Sequence, residues 1–237
     1  METRERLSHR YGTLPEPAFE SGRTVLLIID MQKHGIDPAY GVRERLVAKG
    51  LPGVADYHTS RLELIVGNAK RLLSAVRERG IEPVYVVVES LTRDGRDRSA
   101  EHKRLGIHHA PGSPEAAIVN HLAPREDEIV VKKTCSSAFN GTSLHYVLTN
   151  LGIKTVIVCG VITSGCVEST VRDASDLGYG VALVEDACAT WTPEMQDAAV
   201  YAMREIYAKV YSTDEVLARL GVQERAALSE RGRAASR

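Results

Sequence analysis

Residues 155–166 read TVIVCGVITSGC. The first half, Thr155–Gly160, is a run of apolar and β-branched residues without alternation, the pattern of a strand buried on both faces. The second half, Val161–Cys166, is short, holds Thr163, Ser164 and Gly165, and ends on a cysteine. From about Val167 to Leu177 the pattern turns helical and stops at Gly178. A buried strand passing through a short loop into a helix is one unit of a parallel α/β sheet.

The same unit repeats outward from there. Thr24–Asp30 (TVLLIID), Pro83–Ser90 (PVYVVVES), Glu128–Lys133 (EIVVKK), Gly180–Ala187 (GVALVEDA) and Tyr207–Ser212 (YAKVYS) read as further strands. Between the first two, Leu62, Ile65, Val66, Ala69, Leu72, Leu73 and Val76 recur at helical spacing up to Gly80. Leu144, Val147, Leu148 and Leu151 mark a helix stopped by Gly152, and another begins near Pro193 and runs through Met203. Alternating strands and helices predict a parallel sheet with helices on both faces. Residues 1–22, 32–58 and 91–112 show little periodicity and read as irregular, long loops of the kind that carry function.

The chain has 237 residues, which suits one large α/β domain over residues 1–220, followed by a frayed tail at 221–237 (GVQERAALSERGRAASR). A formal net charge of −1 gives no electrostatic reason to expect nucleic acid or an acidic membrane as partner. The N-terminus lacks an apolar core of signal-peptide type, and no stretch approaches the roughly 18 apolar residues of a membrane span, so the expectation is a cytoplasmic protein. Cys135, Cys159, Cys166 and Cys188 form no CxxC and no zinc-ligand spacing with histidine, which predicts free thiols and no metal.

In an open parallel sheet, ligands bind beyond the carboxyl ends of the strands. Asp30 closes the first strand, Glu89 and Ser90 the second, and Lys132 and Lys133 the third; the fourth leads into the loop that ends on Cys166. An acid, a lysine and a cysteine thus converge on one sheet edge. A helix N-terminus and a nearby lysine favour a thiolate. Asp30 could take the thiol proton and return it to a leaving amine, and the N–H groups of the 161–166 loop could hold an oxyanion. Each residue alone has a plainer reading: Asp30 as a cap, Cys166 as a small buried side chain, a strand-end lysine as a solvated charge. Their convergence favours the chemistry. Gly160-x-x-x-x-Gly165 has the spacing of a phosphate loop, but Cys166 and Val167 stand where that motif needs Lys and Ser or Thr. No GxGxxG follows any predicted strand.

The stretches LLIIDMQ (26–32), VVKKTCSSAFNGTSL (130–144), VIVCGVITSGCVESTVRDASDLGY (156–179) and LVEDACAT (183–190) together resemble the isochorismatase-like cysteine hydrolase superfamily, over roughly residues 22–212. The resemblance implies a Rossmann-like three-layer sandwich with a six-stranded, mainly parallel sheet, and a triad of Asp30, Lys133 and Cys166. Alignment of the SSAF and GT residues selects Lys133 over Lys132. The resemblance further implies a cis peptide at Val161–Ile162, with the N–H groups of Ile162 and Cys166 facing the substrate oxygen. It points to the amidohydrolase branch, whose members act on ureido, carbamoyl, maleamate-type or cyclic amide substrates without a cofactor, and to a homodimer or homotetramer.

Three departures from the family's patterns bear on the site. Metal-using members carry an Asp-x-His and a further His after the second strand; here that loop reads SLTRDGRDRSAEHKRLGIHH (90–109), so His108 and His109 read as loop surface. Vinyl-ether-cleaving members lack the nucleophilic cysteine that Cys166 supplies. Lys33, His34 and Gly35 replace the usual Asn or Asp and Phe after the acid motif, so the pocket wall differs. Strand-end positions nominate Gln32, Glu89, Phe139, Ile162, Thr163 and Trp191 as substrate-binding residues. Arg93, Arg96 or Arg104 could hold a substrate carboxylate, against the alternative of a solvated charged loop. Cys159 and Cys188 should pack in the core, while Cys135 could face the pocket. Two rival readings stand beside the hydrolase. A thiol redox enzyme would leave Asp30 and Lys133 without a role, and a non-catalytic metabolite-binding member is disfavoured by the complete triad.

Overall fold

The computed structural model describes residues 12–222. The frayed tail expected at 221–237 therefore lies outside the described residues, apart from Gly221 and Val222. Six strands form one sheet: β1 (Thr24–Ile29), β2 (Glu82–Val88), β3 (Ile129–Lys133), β4 (Thr155–Val161), β5 (Gly180–Ala189) and β6 (Lys209–Tyr211). Their order is β3-β2-β1-β4-β5-β6, and all five pairings are parallel. Every residue of β1 and β4 is buried. Successive strand residues point to opposite faces, so both faces of the sheet are covered. Fully buried side chains such as Leu26, Leu27 and Ile157 each contribute about 1.5–3 kcal/mol of hydrophobic stabilisation.

The helices are α1 (Lys33–Ile36), α2 (Val42–Ala48), α3 (Pro52–Glu78), α4 (Ala100–Leu105), α5 (Leu144–Asn150), α6 (Glu168–Asp176), α7 (Pro193–Met203) and α8 (Thr213–Arg219). Segment 32–58, expected to be irregular, instead holds α1, α2 and the first two turns of α3. Helix α3 presents Ala55, His58, Leu62, Ile65, Ala69, Leu72 and Val76 to the sheet, where it packs on β5, β2 and β1. His58 sits on that inward face because its ring nitrogens reach the carbonyls of Thr190 and Gly35, each at 3.3 Å. A histidine in place of an apolar residue hides the helical period in the sequence. Segment 91–112 likewise contains α4, capped by the Ser99 hydroxyl, which accepts from the His102 N–H at 3.1 Å.

Three backbone features at the carboxyl edge set up the site. Gly160 has φ +126°, and a Cβ built there would lie 2.0 Å from the Ile29 carbonyl oxygen. Strand β4 can approach β1 this closely, with Gly160 level with Ile29, only if residue 160 has no side chain. The β4–β5 register also shifts between Val158 and Gly160. Asp30, just past β1, has φ +51°, a left-handed conformation that Asp tolerates better than most residues.

Candidate active site

Asp30, Lys133 and Cys166 arrive from three separate strand ends. The Asp30 N–H donates to the Val86 carbonyl at 2.9 Å, so the chain leaves β1 still tied to β2. The Gln32 N–H turns back onto the Asp30 carbonyl at 2.7 Å. Strand β3 lies at the sheet edge and alternates: Lys132 is exposed and Lys133 buried. Lys132 pairs with Glu89, whereas Lys133 turns to the triad. Strand alternation therefore selects Lys133 on physical grounds alone. Cys166 lies in a single π-helical turn, Thr163–Val167, that leads directly into α6. The Val161–Ile162 peptide before that turn is cis.

Lys133 is the hub. Its Nζ donates to Asp30 Oδ2 at 2.8 Å, to Cys166 Sγ at 3.3 Å and to the Cys135 carbonyl at 3.0 Å. Burial alone would lower its pKa, but the facing Asp30 carboxylate, with Cys166 beside it, outweighs this and raises it, so the ammonium stays charged. The Cys166 thiol is pushed up to about 12, first by burial and then by the Asp30 charge, with Lys133 opposing. Burial and the facing carboxylate therefore act against the thiolate, and the lysine acts for it. The second Asp30 oxygen, Oδ1, is buried and accepts no hydrogen bond. A buried carboxylate held at one oxygen by an ammonium and left open at the other, beside a cysteine that keeps partial exposure, is an arrangement that can set a base against a nucleophile.

The other nominated residues divide. Gln32 is 4% exposed, and its side-chain amide is occupied: Nε2 donates to the carbonyls of Val88 and Ala116, and Oε1 accepts from the Val88 N–H. It braces the edge rather than facing open space. Glu89 is taken by Lys132. Phe139 is buried, and its ring stacks on Tyr179, the residue before β5, at 5.8 Å. Ile162 precedes the turn that carries Cys166 and Thr163 opens it, and the buried Thr163 hydroxyl has no partner. Trp191 lies over His58 at 4.8 Å, beyond the β5 end, where Thr190 bonds to Ser164 at 2.7 Å. Arg93, Arg96 and Arg104 are exposed, and Arg96 pairs with Asp94, so the segment is a solvated surface there. Cys135 meets the triad through its carbonyl, while its thiol donates to the Asn140 carbonyl at 2.8 Å. Cys159 and Cys188 are buried in the core.

One expectation is reversed. His109 is not loop surface; it is 9% exposed, and its ring lies 4.7 Å from that of His34. His102 is also fully buried, near enough to Lys133 and Asp30 to feel both charges. Sequence reading missed this cluster because polar residues in an aperiodic stretch carry no burial signal. The unusual residues after Asp30 at 33–35 were the available hint. Among the described residues, no group of three or more His, Cys, Asp or Glu is arranged to hold a metal ion. No helix among them is long and apolar enough to cross a membrane. Two surface clefts, of about 270 and 720 Å³, share Lys70 and His121 on the α3 side, and none of the triad lines either. Size does not outweigh chemistry here, since neither cleft holds a nucleophile with its base.

Residues 24–215 match the model of the Isochorismatase domain. A ureidoacrylate amidohydrolase of Agrobacterium fabrum is 27% identical over 85% of this chain and 92% of its own. A protein of Arabidopsis thaliana described as a probable inactive nicotinamidase is 33% identical over 81% of this chain and 93% of its own. The crystal structure of a cysteine hydrolase from Pseudomonas syringae pv. phaseolicola superposes with a TM-score of 0.74 at 25% identity, covering 88% of this chain and 97% of that one.

Proposed function

The chain belongs to the isochorismatase family, and on that premise we propose that it hydrolyses the C–N bond of a small amide, ureide or cyclic amide through a thioester on Cys166. The observation that carries this reading is the contact of Lys133 with both Asp30 and Cys166, next to a carboxylate oxygen without a partner. The likeness to a ureidoacrylate amidohydrolase supports the reaction class.

Asp30 receives the Cys166 proton as sulfur attacks the carbonyl carbon. With the thiol pKa raised by burial, proton transfer accompanies C–S bond formation rather than preceding it. The carbonyl becomes an oxyanion, held in this reading by the N–H groups of Ile162 and Cys166. Protonated Asp30 then passes its proton to the leaving nitrogen, the C–N bond breaks, and an acyl thioester remains. Water attacks the thioester with Asp30 as base, releasing the acid and restoring the thiol. Throughout, the Lys133 ammonium balances whichever of Asp30 or sulfur is anionic. The reading includes a cytoplasmic enzyme that needs no cofactor and assembles as a homodimer or homotetramer.

The test is an ammonia-release screen over small amides and ureides, with lactams scored by mass gain, on wild type and Cys166→Ala, with and without chelator. Turnover that vanishes in Cys166→Ala and survives chelation supports the reading. No turnover of any compound would favour a non-catalytic, metabolite-binding member, in line with the description of the Arabidopsis relative. Thiol-dependent peroxide consumption would favour redox chemistry.

A further inference from the structure

We propose that His58 is a positioning residue for the reaction: from the buried face of α3 it holds the segment that follows Asp30 in register with the turn that carries Cys166, and this rests on the amidohydrolase reading above. Its two ring nitrogens lie against carbonyls of two different loops. Nδ1 is 3.3 Å from the Thr190 carbonyl oxygen, and Nε2 is 3.3 Å from that of Gly35. On the Gly35 side, the Gly35 N–H donates to the Gln32 carbonyl at 3.1 Å, and the Gln32 N–H donates to the Asp30 carbonyl at 2.7 Å. On the Thr190 side, the hydroxyls of Thr190 and Ser164 share a hydrogen bond at 2.7 Å. Ser164 stands two residues before Cys166 in the turn Thr163–Val167. A continuous series of contacts thus runs from the acid to the nucleophile's turn by way of one imidazole.

Packing alone does not call for a histidine at this position. Ala55, Leu62 and Ile65 fill the same face of α3 without burying a polar group. His58 is fully buried, and the Trp191 ring lies over it at 4.8 Å, so water does not compete for its nitrogens. A neutral imidazole has one N–H, which it donates to one carbonyl while the ring rests against the other. Both loops need an outside anchor. The β4–β5 register shifts between Val158 and Gly160, its last pair is Val161 with Ala189, and Thr190 is the first residue beyond the paired sheet. Gly35 lies in the short α1. Helix α3 runs for 27 residues and packs on β5, β2 and β1, so it offers both loops one stiff support. His58 acts through these loops and takes no part in the bond-making steps. A misplacement of about 1 Å between reacting groups is enough to cost about 10²-fold in rate.

Two readouts on the full chain test this. One is the rate at which iodoacetamide alkylates Cys166, followed by mass spectrometry at neutral pH. The other is steady-state kinetics on the fastest compound of the ammonia-release screen. In His58→Leu the turn should loosen, and Cys166 should alkylate at least about fivefold faster. Its kcat should fall by about 30- to 100-fold, with KM within about threefold of wild type. His58→Asn, which keeps a donor beside the Nδ1 position, should recover at least about threefold of that loss. Ser164→Ala should show the same split in smaller measure, and the double variant should be no worse than His58→Leu, because both substitutions cut one path. If His58→Leu does not fold, Thr190→Val, which removes only the hydroxyl bonded to Ser164, decides in its place: the same split supports the proposal and unchanged kinetics overturns it. A folded His58→Leu with unchanged alkylation and kcat, a loss confined to KM, or losses that multiply in the double variant would overturn the proposal and leave the hydrolase standing. No turnover by wild type, together with faster alkylation in His58→Leu, would remove the hydrolase reading and leave the brace.

Discussion

Lys133 Nζ lies 2.8 Å from Asp30 Oδ2, and the lysine side chain has no solvent exposure. A buried cation and anion in this relation depend on each other, because removing one strands the other in a poorly hydrated place. Lys133→Met should therefore strand the Asp30 carboxylate without its countercharge. We expect kcat/KM to fall by about 10³-fold or more. Lys132→Met, one residue away but facing solvent, should stay within about threefold of wild type. Steady-state kinetics of both variants checks this.

Asp30→Asn separates charge from backbone shape, because Asn accepts the φ of +51° as readily as Asp. Turnover should be lost. The reactivity of Cys166 should move the other way, since the Asp30 charge is one of the forces that raise its pKa, and Lys133 would then act unopposed. Alkylation by iodoacetamide, followed by mass spectrometry at neutral pH, should be faster in Asp30→Asn than in wild type. Slower alkylation would count against Asp30 as the group facing the sulfur.

Stability should decline on the acid side. His34, His102 and His109 all have pKa values lowered, first of all by burial, from an ordinary value of 6.5. The folded state keeps these rings neutral while the unfolded chain protonates them below 6.5, so the unfolded state gains protons first. The stabilisation is complete above 6.5 and is lost as pH falls toward the folded values, about 4 for His109. Thermal melts should show Tm falling between about pH 6.5 and about pH 4.5, and His109→Leu should flatten part of that slope.

Gln32→Leu should cost stability rather than substrate affinity. The substitution strands the Val88 N–H and the carbonyls of Val88 and Ala116, all bonded to Gln32 in the interior. A loss of about 2–4 kcal/mol is expected from denaturant unfolding. If KM rises sharply at unchanged stability, Gln32 touches substrate.

The strands were legible in the sequence because continuous Val and Ile runs have one physical meaning, burial on both faces. The meeting of Asp30, Lys133 and Cys166 was legible because two of them close strands and the third follows the loop after β4, where topology brings the chain to one edge. The missed helical stretches failed for two reasons. In the first two turns of α3 the inward position 58 carries a histidine whose ring lies against the carbonyls of Thr190 and Gly35, and α1 and α2 are too short for a period to emerge. Side-chain fate at the edge was least legible of all. Nothing local says that Gln32 spends its amide on the backbone, that Phe139 seeks Tyr179, or that His109 is covered by residues 75 positions earlier in the chain.

The two glycines that precede Cys166, Gly160 and Gly165, are unequal in what they tolerate. At 165 an added methyl would meet nothing nearer than the Ile162 side chain at 3.9 Å, an ordinary contact, so alanine there should be accepted. At 160 the same methyl would collide with the main chain of Ile29, which has no rotamer to change. A complete substitution map of this segment, scored for soluble folded protein, should therefore show a single forbidden column at 160 beside a permissive one at 165. Whoever reshapes this enzyme's specificity can vary the turn around Cys166 but must leave the hydrogen at 160 in place.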